Sequence, residues 1–200
     1  MTIINSLDTL AQTITQLQHN KIIQWQQHTN LTCQYHDLLG LVEQNHAFNF
    51  QLWNQEDLAR RDDQGFEYVY NAKRAIDALN QKRNDCIEQI DAWLYQLIQP
   101  SQTKDCIVHS ETPGMIIDRL SILALKCFHM ELQSQRQTTI HNHQQHCKEK
   151  YKILLAQREQ LGACLQIYFA ALVAKTHTFK IYHQFKMYND PQLNPALYTD

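Results

Sequence analysis

The sequence predicts an all-α protein, a bundle of about five long helices followed by an extended C-terminal arm. First, the 200 residues include only four glycines and four prolines, too few turn-forming residues for a protein of many short strands. Second, apolar residues recur at steps of three and four over long stretches, which is the period of one helix face. A chain of this length can bury one core, so we expect a single domain over 1–200, with the arm at 181–200.

The first two helices are predicted in the N-terminal third of the chain. Apolar residues at helical spacing predict a helix from about Asn5 to His28. A second apolar pattern begins near Asn30 and continues through Ala59, before the turn-forming residues 62–65. We therefore expect a long second helix.

The third and fourth helices have clear boundary signals. One apolar face predicts a third helix from about Phe66 to Gln99, because Pro100 ends the pattern. Thr112 and Pro113 then combine an N-cap side chain with a proline at the first helical position, so the fourth helix should begin there. This fourth helix is apolar almost all round, which indicates a central element enclosed by the others.

The fifth helix is expected after a polar turn near residues 137–146, with an apolar face that extends from Tyr151 to Leu172. The arm contains two prolines within five residues and several aromatic residues. Proline disfavours regular structure there, so we expect an extended arm that is held to the bundle by its Tyr and Phe side chains.

Charge and cysteine usage argue against several functional classes. The net charge of -2, with Lys and Arg scattered among acids, provides no basic surface for nucleic acid. The six cysteines include no CxxC pair, so neither a zinc ribbon nor a redox pair is predicted. Neither a signal-peptide pattern nor a run of 18 apolar residues occurs, so we expect a cytoplasmic protein with no transmembrane segment.

Polar residues interrupt the apolar faces where hydrophobic side chains are expected. Heptad alignment places Arg83 on the apolar face of the third helix and Arg158 on that of the fifth. Other polar or ring-bearing residues at such positions are His46, Asn49, Trp53, Glu56 and Arg60 on the second helix, and Asp118, Ser121 and His129 on the fourth. Buried guanidinium groups need carboxylate partners, for which the candidates are Glu56, Asp57, Glu111 and Asp118.

Two interpretations of these inward charges remain open. The first is a buried ion-pair network that holds the register of the helices. The second is a polar cavity between helices, in which the two arginines would bind a phosphate or carboxylate bidentately. Both interpretations predict that Arg83 and Arg158 lie close to carboxylates.

Three weaker patterns concern metals. Glu88 and Asp91 lie one turn apart on an otherwise solvent-facing stripe of the third helix, and with Glu56 and Asp57 they are similar to the magnesium ligands of all-α phosphohydrolases. Glu43 and His46 form a single ExxH element, whereas di-iron bundles use two. A His-rich turn is typical of a solvated connection that could also bind a transition metal, through His141, His143, His146 and Cys147.

Four ordered segments carry a resemblance to a known family. They are HAFNFQLWNQEDLARRDD at 46–63, KRAIDALNQKRNDCIEQID at 73–91, SETPGMIIDRLSILALKCFHM at 110–130 and FKMYNDPQLNPALY at 185–198. Over nearly the whole chain the sequence thus resembles the bacterial domain-of-unknown-function family 4254. The resemblance implies no defined activity, but it implies a context, since genes of this family often accompany those of glycosyltransferases for surface polysaccharide or lipopolysaccharide.

The resemblance and the inward polar positions together define a candidate ligand site. Its residues are His46, Asn49, Trp53, Glu56, Asp57, Arg60, Arg83, Asn84, Asp118, Lys126, His129 and Arg158. In the main hypothesis the protein is a ligand-binding or accessory factor in surface-glycan synthesis. Arg83 and Arg158 would clamp an anionic sugar or sugar phosphate, and the two histidines would tune the pocket.

Two alternatives belong to other functional classes. One is a phosphohydrolase acting on nucleotides or nucleotide sugars, with magnesium held by Glu56, Asp57, Glu88 and Asp91; magnesium is implied by this alternative only. The other is a scaffold that binds a glycosyltransferase. In either case, the C-terminal arm could fold over its own bundle or reach a second subunit in a homo-oligomer.

Overall fold

A computed structural model describes residues 7–27, 31, 37–137, 142–185, 187 and 190–198 of the chain. These residues form five long helices, α1 (Leu10–Gln27), α2 (Leu38–Leu58), α3 (Phe66–Ile98), α4 (Pro113–Gln135) and α5 (His143–Val173). Two short strands, β1 (Ile107–Val108) and β2 (His177–Thr178), pair in parallel. The prediction of an all-α bundle is confirmed.

Side-chain caps set the starts of α2 and α4. Asp37 accepts hydrogen bonds from two backbone N–H groups in the first turn of α2, at 3.0 and 3.3 Å. The predicted start near Asn30 lies outside the described residues, and α2 itself begins at Leu38. Thr112 accepts from the backbone N–H of Met115 at 3.2 Å, so α4 begins at Pro113 as predicted.

The end of α3 is tied to the chain that follows α5. Gln99 takes a left-handed conformation, with φ 46°, and ends the helix before Pro100. The Lys175 ammonium donates to the carbonyls of Ile98 and Gln99, both at 2.5 Å, and so satisfies groups that a helix end leaves without partners. The β1–β2 pair joins the same two regions, and its two-residue strands are too short to show a period in the sequence.

The core sits around α4, which contacts each of the other four helices. Its Ile117 and Leu120 are fully buried, as are Ile14 of α1, Ile90 of α3 and Phe169 of α5. The most extensive helix contacts are those of α4 with α5 and of α2 with α3. The prediction that α4 is the central element is confirmed.

The C-terminal arm contacts the bundle through Ile181, which packs against the core, and through polar groups. His183 donates to the Glu88 carboxylate of α3 at 2.7 Å, and the backbone N–H of Gln184 donates to the same carboxylate at 2.8 Å. Phe185 is 82 % exposed, and Tyr182 and Tyr198 are exposed as well. These three aromatic side chains are therefore not buried against the bundle, contrary to the expectation, whereas Tyr188 lies outside the described residues. Among the described helices, none is both long enough and apolar enough to cross a membrane.

Candidate ligand site between the helices

A buried polar network connects α1, α2 and α4. The His46 ring is fully buried, and its Nε2 contacts the Gln18 carbonyl at 2.8 Å while its Nδ1 contacts the Ser121 hydroxyl at 2.7 Å. Because a carbonyl can only accept, Nε2 carries the proton and Nδ1 accepts from Ser121. Burial lowers the pKa of His46 to about 3, so the ring is neutral at physiological pH.

Asn49 extends this network from Ser121 to a buried carboxylate. Its Nδ2 donates to Ser121 Oγ at 2.9 Å and to Asp118 Oδ1 at 2.8 Å. Asn45 donates to the same Asp118 oxygen at 3.0 Å. Arg83 also lies near this oxygen, with its Nε 3.8 Å from Oδ1. The network therefore ends at a charge pair that is too long for a hydrogen bond.

Arg83 keeps its hydrogen-bonding capacity within the described part of the chain. Its side chain is 27 % exposed, and its buried Nε has no hydrogen-bond partner there. Its nearest carboxylate, Asp118, already accepts two amide hydrogen bonds. The negative charge of Asp118 thus attracts the guanidinium, while the Nε donor of Arg83 is not used by any described residue.

Arg83 lines a cleft of about 330 Å³ between α2, α3 and α4, which we name the arginine cleft. Leu52, Ile122 and Leu125 form its apolar part. Six of the predicted ligand residues also line it, namely Asn49, Trp53, Glu56, Asp57, Arg60 and Arg83. They meet because those on α2 follow steps of three and four along one helix face, opposite Arg83 on α3.

The charges in the arginine cleft are unequally paired. Arg60 donates to Glu56 at 2.8 Å on the exposed side, and Lys73 lies 3.9 Å from the same carboxylate. Arg60 is thus neutralised by its neighbour on α2. Arg83, the other arginine that lines this cleft, makes no hydrogen bond to a carboxylate of any described residue.

Trp53 and Asp57 also line a second cleft of about 600 Å³ between α2, α4 and α5, which we name the lysine cleft for its Lys126 and Lys150. In the wall between the two clefts, the Trp53 ring stacks on His129 of α4, with centroids 4.3 Å apart and planes tilted by 7°. Burial lowers the pKa of His129 below its usual range, against a raising effect of Asp57. The stacked pair therefore presents flat, uncharged rings.

Four predicted ligand residues lie elsewhere. His46 and Asp118 belong to the buried network behind the arginine cleft. Asn84 is partly exposed and lines neither cleft. Arg158 lines a separate cleft of about 690 Å³ between α1 and α5.

Arg158 corrects the prediction of a two-arginine clamp. Its Nη2 donates to the Thr15 carbonyl at 2.6 Å, and it makes no ion pair with any described residue. Burial lowers its pKa. Heptad spacing correctly placed Arg158 on an inward face, but that face packs on α1, so Arg83 and Arg158 do not line a common cleft.

The carboxylates of the magnesium alternative are not brought together, because Glu56 and Asp57 line the arginine cleft whereas Glu88 and Asp91 lie further along α3. Glu56 lies 3.9 Å from Lys73 of α3. Lys73 precedes Glu88 by 15 positions, which corresponds to about 22 Å along the helix, so Glu56 and Glu88 are far apart. Glu88 binds the arm, and Asp91 is only 2 % exposed, contrary to the solvent-facing stripe expected for it. Asp91 accepts from the backbone N–H of Gly114 at 2.7 Å, and burial raises its pKa to about 6.

Residues of the other two candidate metal patterns contact neighbouring side chains instead. Glu43 of the ExxH element forms a buried ion pair with Lys21 at 2.7 Å. Cys147 contacts His143 at 3.6 Å, while His141 lies outside the described residues. Across the described ranges, no three His, Cys, Asp or Glu side chains are grouped closely enough to hold a metal ion.

Sequence reasoning missed several residues of the two clefts. Asn80 lines the arginine cleft one turn before Arg83, although the sequence pattern placed it on the solvent-facing stripe. Lys150, Met130 and Ile153 line the lysine cleft, and their pattern along α4 and α5 is indistinguishable from an ordinary surface. The one sequence signal for Asn80 is its spacing of three residues from Arg83, which places both side chains on the same side of α3.

Comparison with known proteins gives one match. The family model described as a protein of unknown function, DUF4254, matches residues 39–181. This span contains every residue that lines the arginine and lysine clefts, together with the buried network on α2 and α4. Neither a curated protein nor a solved structure matches the chain.

Proposed function

This chain belongs to the DUF4254 family, and we propose that it binds a small sugar phosphate, or a related anionic sugar, in the arginine cleft. The observation that carries the proposal is the state of Arg83. Its guanidinium lines the cleft, is positioned by Asp118 at 3.8 Å, and donates no hydrogen bond to any described residue. A partly buried cation of this kind gains most from an anionic ligand that supplies hydrogen-bond acceptors.

The remaining walls of the cleft favour a sugar attached to that anion. Glu56 and Asp57 offer acceptors for hydroxyl groups, and Asn80 offers both a donor and an acceptor. The Trp53 ring, supported by His129, provides a flat apolar surface against which one face of a sugar ring can pack. The volume of about 330 Å³ lies at the small end of the range for ligand pockets.

We place this binding in the cytoplasm and in the synthesis of surface glycans. The support for this setting is the resemblance described above, which implies proximity to glycosyltransferase genes. In this setting the protein would hold or deliver a sugar phosphate as an accessory factor. The proposal concerns binding and assigns no chemical step.

Isothermal titration with glucose 1-phosphate, UDP-glucose, free glucose and inorganic phosphate tests the proposal. We expect the phosphorylated sugars to bind and free glucose to bind at least tenfold more weakly. The Arg83→Met variant should bind at least tenfold more weakly than the native chain. Its matched control is Arg74→Met, which changes an exposed arginine of the same helix that pairs with Asp77 outside the cleft. Equal affinity of the native chain and Arg83→Met would refute the proposal.

A further inference from the structure

We propose that the lysine cleft is a second binding site, for an amphiphile with one aliphatic chain and a phosphate or carboxylate head. This cleft has almost twice the volume of the arginine cleft, about 600 Å³ against about 330 Å³. Its position between α4 and α5 places it next to the stacked rings of Trp53 and His129. The inference does not depend on the ligand of the arginine cleft.

Apolar side chains of two helices provide the surface for the chain of the ligand. Met130 comes from α4, and Ile153 and Leu154 come from α5. Ile153 is 58 % exposed, so apolar surface in this cleft remains in contact with water. Burying such surface under an aliphatic chain is favourable, and methionine adapts its shape to such contacts.

The charges of the cleft select an anionic head. Lys126 on α4 and Lys150 on α5 are exposed, and neither forms an ion pair with a described residue. Asp57 is the carboxylate that lines the same cleft, and His129 stays neutral because burial lowers its pKa. Two ammonium groups therefore face one carboxylate, which leaves a net positive charge beside an apolar surface.

Lysine is well suited to this arrangement. Its aliphatic stem lies along apolar surface while the ammonium group stays in water, so Lys126 and Lys150 can meet a head group at the rim without being buried. A sugar or a nucleotide would leave the apolar part of the cleft unfilled. A neutral amphiphile would leave both ammonium groups without a partner.

Titration calorimetry with dodecyl phosphate and with laurate, each below its micellar concentration, tests the proposal. Dodecyl maltoside and dodecyltrimethylammonium serve as the neutral and cationic comparisons, and inorganic phosphate serves as the head alone. We expect the two anionic amphiphiles to bind at least tenfold more tightly than any of the three comparisons. Equal binding of all four amphiphiles would overturn the inference, as would binding of inorganic phosphate as tight as that of the two anionic amphiphiles.

Matched variants locate the site. The double change Lys126→Gln with Lys150→Gln should weaken dodecyl phosphate binding at least tenfold, whereas Lys148→Gln with Lys152→Gln, exposed lysines that do not line the cleft, should leave it unchanged. Ile153→Gln should also weaken binding, and Ile167→Gln, at a position 69 % exposed outside the cleft, should not. Because these positions are exposed, the variants should fold.

A second copy of the chain is the competing occupant of this surface. Sedimentation velocity over a range of concentrations distinguishes it. A dimer that dissociates in Ile153→Gln and is insensitive to dodecyl phosphate would overturn the inference. Arg83→Met should leave dodecyl phosphate binding intact, so failure of this site and failure of the sugar-phosphate site can be told apart.

Discussion

The Arg83 Nε lies 3.8 Å from Asp118 Oδ1, an oxygen that already accepts hydrogen bonds from Asn45 and Asn49. The two charges attract each other at this distance, but Asp118 does not depend on Arg83 for its hydrogen bonds. Asp118 belongs to the buried network, whereas Arg83 belongs to the cleft. A structural hydrogen-bond network thus lies beside a cation that donates no hydrogen bond to a described residue.

The first prediction separates these two roles. Arg83→Met should change the free energy of unfolding by less than about 1 kcal/mol, because Asp118 keeps its two amide donors. Asn49→Ala should cost about 1–3 kcal/mol, because it removes a donor from both Asp118 and Ser121 in the buried network. Urea unfolding monitored by circular dichroism measures both. A loss above about 3 kcal/mol in Arg83→Met would mean that the ion pair itself is structural.

The second prediction concerns acid stability and His46. Its folded-state pKa is lowered to about 3 from the usual 6.5, so unfolding takes up a proton below pH 6.5. This stability is fully present above pH 6.5 and is lost as the pH falls towards 3, by about 1.4 kcal/mol per pH unit. Urea unfolding at pH 7, 6 and 5 should show a shallower decline in His46→Gln than in the native chain. His146→Gln changes an exposed ring and should keep the native slope.

The third prediction concerns Asp91 and has the opposite sign. Its pKa is raised from 3.8 to about 6, chiefly by burial, so the folded state favours the protonated carboxyl. The associated stability is present below pH 3.8 and is lost as the pH rises through 6. Asp91→Asn keeps an acceptor for the Gly114 N–H and cannot ionise. Its stability relative to the native chain should therefore rise between pH 4 and pH 7, and a constant difference would contradict this assignment.

The fourth prediction concerns the contact between α3 and the start of α4. A Cβ added at Gly114 would lie 2.7 Å from both the Ile87 carbonyl oxygen and Asp91 Oδ1. Since the carbonyl belongs to the backbone of α3, it cannot move aside, and Gly114→Ala should cost about 1–3 kcal/mol in thermal or urea unfolding. Gly162→Ala is the control, because its Cβ would meet only a Thr15 methyl at 3.7 Å. That change should be neutral or stabilising by up to about 1 kcal/mol, since alanine favours a helix.

The sequence by itself determined the elements that depend on local interactions. Pro100 ends α3 and the Thr112–Pro113 pair starts α4 because a cap or a proline acts within one helical turn. The arginine cleft was predictable to the same extent, because Asn49, Trp53 and Glu56 share one face of a single helix.

Only the tertiary structure decided which faces meet. Arg83 and Arg158 look equivalent in the heptad pattern. Arg83, however, lines the cleft beside α2, whereas Arg158 donates to a backbone carbonyl of α1. Glu88 and Asp91 likewise share a helix stripe, but Glu88 holds the arm and Asp91 lies beneath α4. Helical period fixes the direction of a side chain relative to its own axis, whereas its partner depends on long-range packing, which spacing along one helix does not encode.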